Sequence, residues 1–109
     1  MSSRGVTIQE VYTTLPTLSA AQTLAAAIVE QRLAACVQIT GPVCSIYRWK
    51  GSVNQDQEYV LRCKTVDTEL ANLTEYLKSN HPYELPEIIW STVQASPEYA
   101  EWVEDLGRR

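Results

Sequence analysis

The stretch Val43-Cys44-Ser45-Ile46-Tyr47-Arg48-Trp49-Lys50-Gly51-Ser52-Val53-Asn54-Gln55-Asp56-Gln57-Glu58-Tyr59-Val60-Leu61-Arg62-Cys63-Lys64-Thr65 decides the fold. Val43, Ser45, Tyr47 and Trp49 alternate with Cys44, Ile46, Arg48 and Lys50, the period of two that a strand requires. Lys50-Gly51-Ser52 is a turn signal, and Val53 to Thr65 reads as the returning strand, with Tyr59, Leu61, Cys63 and Thr65 on one face. The two halves form a hairpin. Upstream, Ala35 to Ile39 begins the first of these strands, and Gly41-Pro42 predicts a bulge or bend within it. The returning strand spans about 40 Å at about 3.3 Å per residue. A chain of this length has a radius of gyration of about 13 Å, and so a diameter of only about 35 Å. Part of the hairpin must therefore protrude, although it carries Tyr47, Trp49 and Tyr59, large groups that gain by burial. An aromatic edge of this kind pairs with another chain or is covered by one. Edge pairing into a homo-oligomer is the expectation; the alternative is a twisted hairpin folded back on its own sheet.

The flanks complete the pattern. Val6 to Thr14 reads as a strand ended by Pro16, and Ser19-Ala20-Ala21-Gln22 as a capping box opening an Ala- and Leu-rich helix that runs to about Leu33. After the hairpin, Asp67 or Thr68 caps a second helix with an apolar stripe of Leu70, Leu73 and Leu77, beside Tyr76; Pro82 stops it. Glu87 to Gln94 is a fourth strand, and Ile88-Ile89-Trp90 reads as a central, doubly buried segment. Ser96-Pro97-Glu98 starts a last helix with Tyr99, Trp102, Val103 and Leu106 turned inward and Gly107 as its end. The order is βαββαβ plus a C-terminal helix: an α+β, ferredoxin-like sandwich with an antiparallel sheet.

The chain of 109 residues is one domain, 1–109, with a core of about 6–106. A net charge of −4 and the lack of a basic run before Arg108-Arg109 oppose nucleic-acid binding. No stretch is apolar enough to cross a membrane, and the N-terminus has no secretory h-region, so a cytoplasmic location is the default. Cys36, Cys44 and Cys63 form neither a C-x-x-C pair nor a disulfide framework. They read as free thiols, with Cys36 as core filling.

The segment Asn80-His81-Pro82-Tyr83-Glu84-Leu85-Pro86-Glu87-Ile88 holds the only histidine and two of the five prolines. Each proline forbids helix and pushes the residue before it, His81 and Leu85, toward extended geometry. A rigid polar segment at an element boundary is a site candidate.

Four stretches then occur together and in register. They are Val11-Tyr12-Thr13-Thr14 with Pro16, Glu30-Gln31-Arg32-Leu33-Ala34-Ala35-Cys36-Val37, Ser45-Ile46-Tyr47-Arg48-Trp49-Lys50-Gly51, and His81-Pro82-Tyr83-Glu84 with Pro86-Glu87-Ile88. From about Val6 to Leu106 the sequence resembles the CutA1 family of divalent-cation tolerance proteins. The resemblance implies a homotrimer of ferredoxin-like subunits joined through the long hairpin, with an architecture similar to PII signalling proteins and clefts between subunits. It brings no established catalytic activity. It implies a link to tolerance of copper and other divalent cations, with metal proposals at positions occupied here by Thr13, Glu58 and Asn80. Glu58 alone keeps a ligand type.

On chemistry, copper favours imidazole and thiolate, and each chain offers one histidine. Glu58 and His81 are the metal candidates; copper or another divalent cation is the candidate ion, and no other cofactor is indicated. If the hairpin turns at Gly51, Cys44 falls opposite Glu58. His81 is alternatively a hydrogen-bonded helix terminus. Arg48, Lys50, Arg62 and Lys64 either line a cleft that receives a small anionic ligand, together with His81, Tyr83 and Glu84, or form cross-strand ion pairs. Tyr47, Trp49, Tyr59 and Trp90 are the interface candidates. One histidine and no G-x-S-x-G motif make an enzyme the poorer reading. The absence of phenylalanine and of the basic-aromatic pattern opposes RNA binding.

Overall fold

A computed structural model describes residues 6–105. The elements are β1 (Val6–Leu15), α1 (Leu18–Glu30), β2 (Cys36–Trp49), β3 (Ser52–Thr65), α2 (Asp67–Asn80), β4 (Ile89–Ala95) and α3 (Pro97–Glu104). The sheet order is β2-β3-β1-β4, every neighbour antiparallel. This is the expected ferredoxin-like βαββαβ arrangement with an added helix. The expected inward role of Leu106 and stop at Gly107 lie outside the described residues.

The core lies between the inner strands and the first two helices. Val11, Leu15, Leu61 and Cys63 from the sheet meet Ala21, Leu24, Ile28, Leu73 and Leu77 from α1 and α2. Leu73 and Leu77 are fully buried, as their stripe requires, with Leu70 and Tyr76 packed beside them. A smaller cluster seats Ala100 and Val103 of α3 on Ile8.

The helix ends differ from expectation. Thr17, not Ser19, caps α1: its side chain accepts from Ala20 N at 3.0 Å, so the first turn starts directly after Pro16. The helix closes at Glu30, three residues before Leu33. There Arg32 adopts φ 60°, its N–H donates to Val29 O, and Leu33 N–H donates to Ile28 O. This is a Schellman end with Leu33 returned to the core and no glycine to favour it. Neither Asp67 nor Thr68 caps α2; Val66 holds the cap position without a side-chain bond. Asp67 instead sits at the first helical position, where its carboxylate suits the dipole and accepts from Gln9 Nε2 at 2.6 Å.

Three burial expectations are also corrected. β4 is an edge strand, not a central one, and Ile89 and Trp90 are 54% and 53% exposed. Tyr99 and Trp102 lie partly outside on α3, their rings 5.7 Å apart, because Ala100 and Val103 take the inward face. Cys36 is only half-buried; Cys63 is the core thiol, and burial pushes it up to about 12.

The hairpin behaves as its length demands. Strand pairing runs from Cys36↔Lys64 to Trp49↔Ser52, interrupted between Thr40 and Val43 where Gly41-Pro42 intervenes. Lys50 and Gly51 both take positive φ, the two-residue turn whose twist matches the flanking strands. Because this turn is centred between Lys50 and Gly51, Cys44 pairs with Gln57 and Val43 with Glu58. The expected Cys44–Glu58 opposition is off by one step, which puts the two side chains on opposite faces. The molecule extends 54 Å along its longest axis, with a radius of gyration of 15.2 Å against the roughly 13 Å of a compact chain.

Gly41 is the point where the hairpin bends against its neighbour. A Cβ there would lie 2.7 Å from Tyr59 Cδ2 and 3.0 Å from the Glu58 carbonyl oxygen. The ring can yield but the backbone cannot, so Gly41→Ala is expected to destabilise by about 1–3 kcal/mol, read as a lower denaturation midpoint with an unchanged denaturant slope.

Candidate functional site

The His81-to-Glu87 segment is built by the end of α2. Pro82 holds His81 extended at φ −89°, ψ 140°, which turns the chain off the helix and drops the imidazole onto β1. His81 Nε2 lies 3.0 Å from Thr13 Oγ1, and Tyr83 N–H donates to His81 Nδ1 at 3.2 Å. The donated N–H makes Nδ1 an acceptor, so the proton of the neutral ring sits on Nε2, facing Thr13. Burial lowers the His81 pKa from its ordinary value; a hydrogen bond to the Thr14 backbone and the charge of Glu58 pull the other way without reversing it.

The next residue carries the segment to the hairpin. The Tyr83 ring lies 5.0 Å from that of His81, and its hydroxyl donates to Glu58 Oε2 at 2.7 Å. Burial pushes the Tyr83 phenol well up, and the bond to Glu58 adds to the shift, so the hydroxyl stays a donor throughout the physiological range. Nearer the hairpin tip, the Tyr47 hydroxyl donates to Asp56, which raises its pKa in the same sense. Two phenol–carboxylate pairs thus stand along one wall.

That wall borders an open groove of about 990 Å³ between the hairpin tip and residues 82–87. Among the expected site residues, Arg48, Glu58, Tyr83 and Glu84 line it, joined by Tyr47 and Trp49 from the expected interface set. His81 stands behind Tyr83 as its support. Lys64 is not brought here: it pairs with Glu10 at 3.0 Å, six positions along β3 from Glu58, with Arg62 at 3.9 Å. Burial would raise the Glu10 carboxyl, but the bonds from Lys64 and Tyr12 and the nearby charges outweigh it and hold the pKa low. These are the cross-strand ion pairs that were one of the two alternatives for this cluster. Tyr59 is half-buried against its own core, and Trp90 is on the far edge of the sheet. Sequence reasoning missed Asp56, while Glu87 lies within the segment it named as a site candidate. Asp56 was accessible through register, since it stands diagonally across the hairpin from Tyr47 on the same face.

These residues do not fit a divalent-cation site within one chain. Thr13 Oγ1 and both His81 nitrogens are engaged with each other or with Tyr83, and Glu58 already accepts from a phenol. Asn80 bonds back to the Tyr76 carbonyl. Among the described residues no three His, Cys, Asp or Glu side chains group as metal ligands. Nor, among the described residues, is any helix long and apolar enough to cross a membrane.

Comparison with known proteins reflects the same arrangement. A family model described as CutA1 divalent ion tolerance protein matches residues 9–106. The chain belongs to the CutA1 family. It is 43% identical over 93 residues to the divalent-cation tolerance protein CutA of Thermus thermophilus, covering 84% of this chain and 90% of that protein. The Thermus structure superposes with a TM-score of 0.85, covering 90% of this chain and 96% of that one. A CutA homologue of Xenopus laevis is 42% identical over 87% of this chain, which spans only 64% of the Xenopus protein's length. The structure of a PII-like CutA from Nostoc, 33% identical, also has a TM-score of 0.85 and covers 90% of this chain and 95% of its own. This CutA1-family chain thus carries the PII-like fold of its solved neighbours.

Because His81 is the sole histidine, its titration can be followed by NMR without ambiguity. Its folded pKa lies below the ordinary 6.5, so the unfolded chain binds the proton first as pH falls. The contribution of the neutral ring to stability is therefore present above about pH 6.5 and is lost as pH drops through the folded value. Stability is expected to decline as pH falls below about 6.5, and His81→Gln is expected to flatten that decline in denaturation experiments.

Proposed function

We propose that this chain acts in divalent-cation tolerance as a homotrimer, with its ligand held in the seams between subunits at the groove of Tyr47, Glu58 and Tyr83. The observation that carries the reading is a half-built groove on a hairpin tip with no cover of its own. Ile46 and Val53 are 67% and 66% exposed on one face of the tip, and Tyr47 and Trp49 about two-fifths exposed on the other. Ile89 and Trp90 lie open on the opposite sheet edge. A chain with two free strand edges, β2 and β4, can join copies head to tail, and such contacts close into a ring when the rotation permits. The number three comes from the family resemblance, as does the link to cation tolerance, for which the Thermus relative is named.

A second reading, a trimeric scaffold without a tight metal site, is favoured by the self-satisfied Thr13–His81–Tyr83–Glu58 chain. Light scattering is expected to return three times the 12.3 kDa chain mass, and Trp90→Glu to shift it toward monomer. A monomer at micromolar concentration rejects the proposal. Calorimetric titration with copper(II) and zinc then separates the two readings. Heat that is lost in Glu58→Ala and His81→Ala supports the ligand-binding trimer. The absence of heat from the metals and from small organic ions alike supports the scaffold.

A further inference from the structure

The chemistry of the groove lining differs from that of a bare metal site and from that of an anion site. Four carboxylates border it, Asp56, Glu58, Glu84 and Glu87, against two cations, Arg48 in the lining and Lys50, whose ammonium stands over the Trp49 ring. Three aromatic rings, Tyr47, Trp49 and Tyr83, share the same lining. The basic residues that would suit an anion, Arg62 and Lys64, are drawn to Glu10 on β1.

Resting on the reading of this groove as the ligand site, we propose that its ligand is a small organic ammonium ion rather than a free metal ion. The two phenols donate to Asp56 and Glu58, so these carboxylates do not present bare oxygens to a small ion demanding several at short range. Each keeps negative charge and a second oxygen for a diffuse cation. A phenol that donates to a carboxylate also gains ring electron density, which strengthens its attraction for a cation over its face. Trp49 already shows this preference: the ammonium of Lys50 stands 5.7 Å from its ring centroid. A volume of about 990 Å³ suits an organic body far better than a desolvated ion. The aromatic walls hold the hydrocarbon, and the carboxylates select the charge.

The test uses the full chain in its native assembly. Putrescine and tetramethylammonium are titrated by calorimetry and by the fluorescence of the tryptophans, with tert-butanol as an uncharged counterpart of similar size. Copper(II), zinc and acetate are titrated in parallel. Both ammonium ions are expected to bind saturably and the alcohol not to bind. Trp49→Leu and Glu58→Gln are expected to weaken ammonium binding about five- to thirty-fold, the range of one desolvated cation–π or charge contact. Glu84→Gln, in the loop and away from the hairpin pairing, gives a weaker loss in the same direction, and Arg48→Gln tightens binding. Equal binding of tert-butanol overturns the proposal. So does binding of copper or acetate, abolished by Glu58→Gln, without binding of either ammonium ion, although the groove then survives as the ligand site. No binding of any probe overturns both.

Discussion

Fourteen-residue strands cannot be covered by helices of the same small domain. β2 and β3 pair from Cys36 to Trp49 apart from the break at Gly41-Pro42, yet only the segment below that break rests against α1 and α2. Beyond that point the two strands have each other's backbone hydrogen bonds and no core. The backbone is satisfied, so the ribbon holds its shape, while its side chains remain half in water. Everything distinctive about the molecule follows from this mismatch between paired backbone and unpaired side chains. It stretches the chain to 54 Å, strands Ile46 and Val53 in solvent and leaves one wall of a groove without an opposing surface.

The segment after α2 gives that ribbon its one lateral brace. Pro82 denies the helix another turn, His81 anchors to Thr13 of the central strand, and Tyr83 reaches over to Glu58. The brace is a continuous line of hydrogen bonds from a fully buried threonine to a half-buried carboxylate on the hairpin. Each bond contributes only about 1 kcal/mol net, but together they fix the orientation of rings that define the groove. The same engagement removes the donors a metal ion would need. Rigidity of the wall and readiness for a metal are therefore in opposition here, and the hydrogen bonds decide for rigidity.

Charge is partitioned with equal clarity. Cross-strand pairing gathers Arg62 and Lys64 around Glu10, holding that carboxyl low, at the broad end of β3. The tip is left with carboxylates, phenols, the Arg48 guanidinium and the Lys50 ammonium over the Trp49 ring. Sequence composition averages these two ends into an unremarkable acidic chain, whereas register separates them by six residues along one strand.

The alternation of 43–49, the Lys50-Gly51 turn, the leucines of α2 and the two prolines around Tyr83 specified the elements and their order, because each reflects a local rule of backbone geometry or periodicity. The mismatch in length was likewise a matter of counting residues, and the four motifs sufficed to place the chain in its family. What local rules could not supply was context. Ile89 and Trp90 look like a buried strand because an apolar run reads alike at a sheet centre and at an edge awaiting a partner. The helix start moved from Ser19 to Thr17 because two hydroxyls two residues apart satisfy one cap equally well on paper. The Cys44–Glu58 pairing failed by a single residue, since a turn centred between two positions rather than on one reverses the face of every side chain. The site itself, Thr13 to His81 to Tyr83 to Glu58, joins residues up to 68 apart in sequence, and only folding could bring them within hydrogen-bond reach.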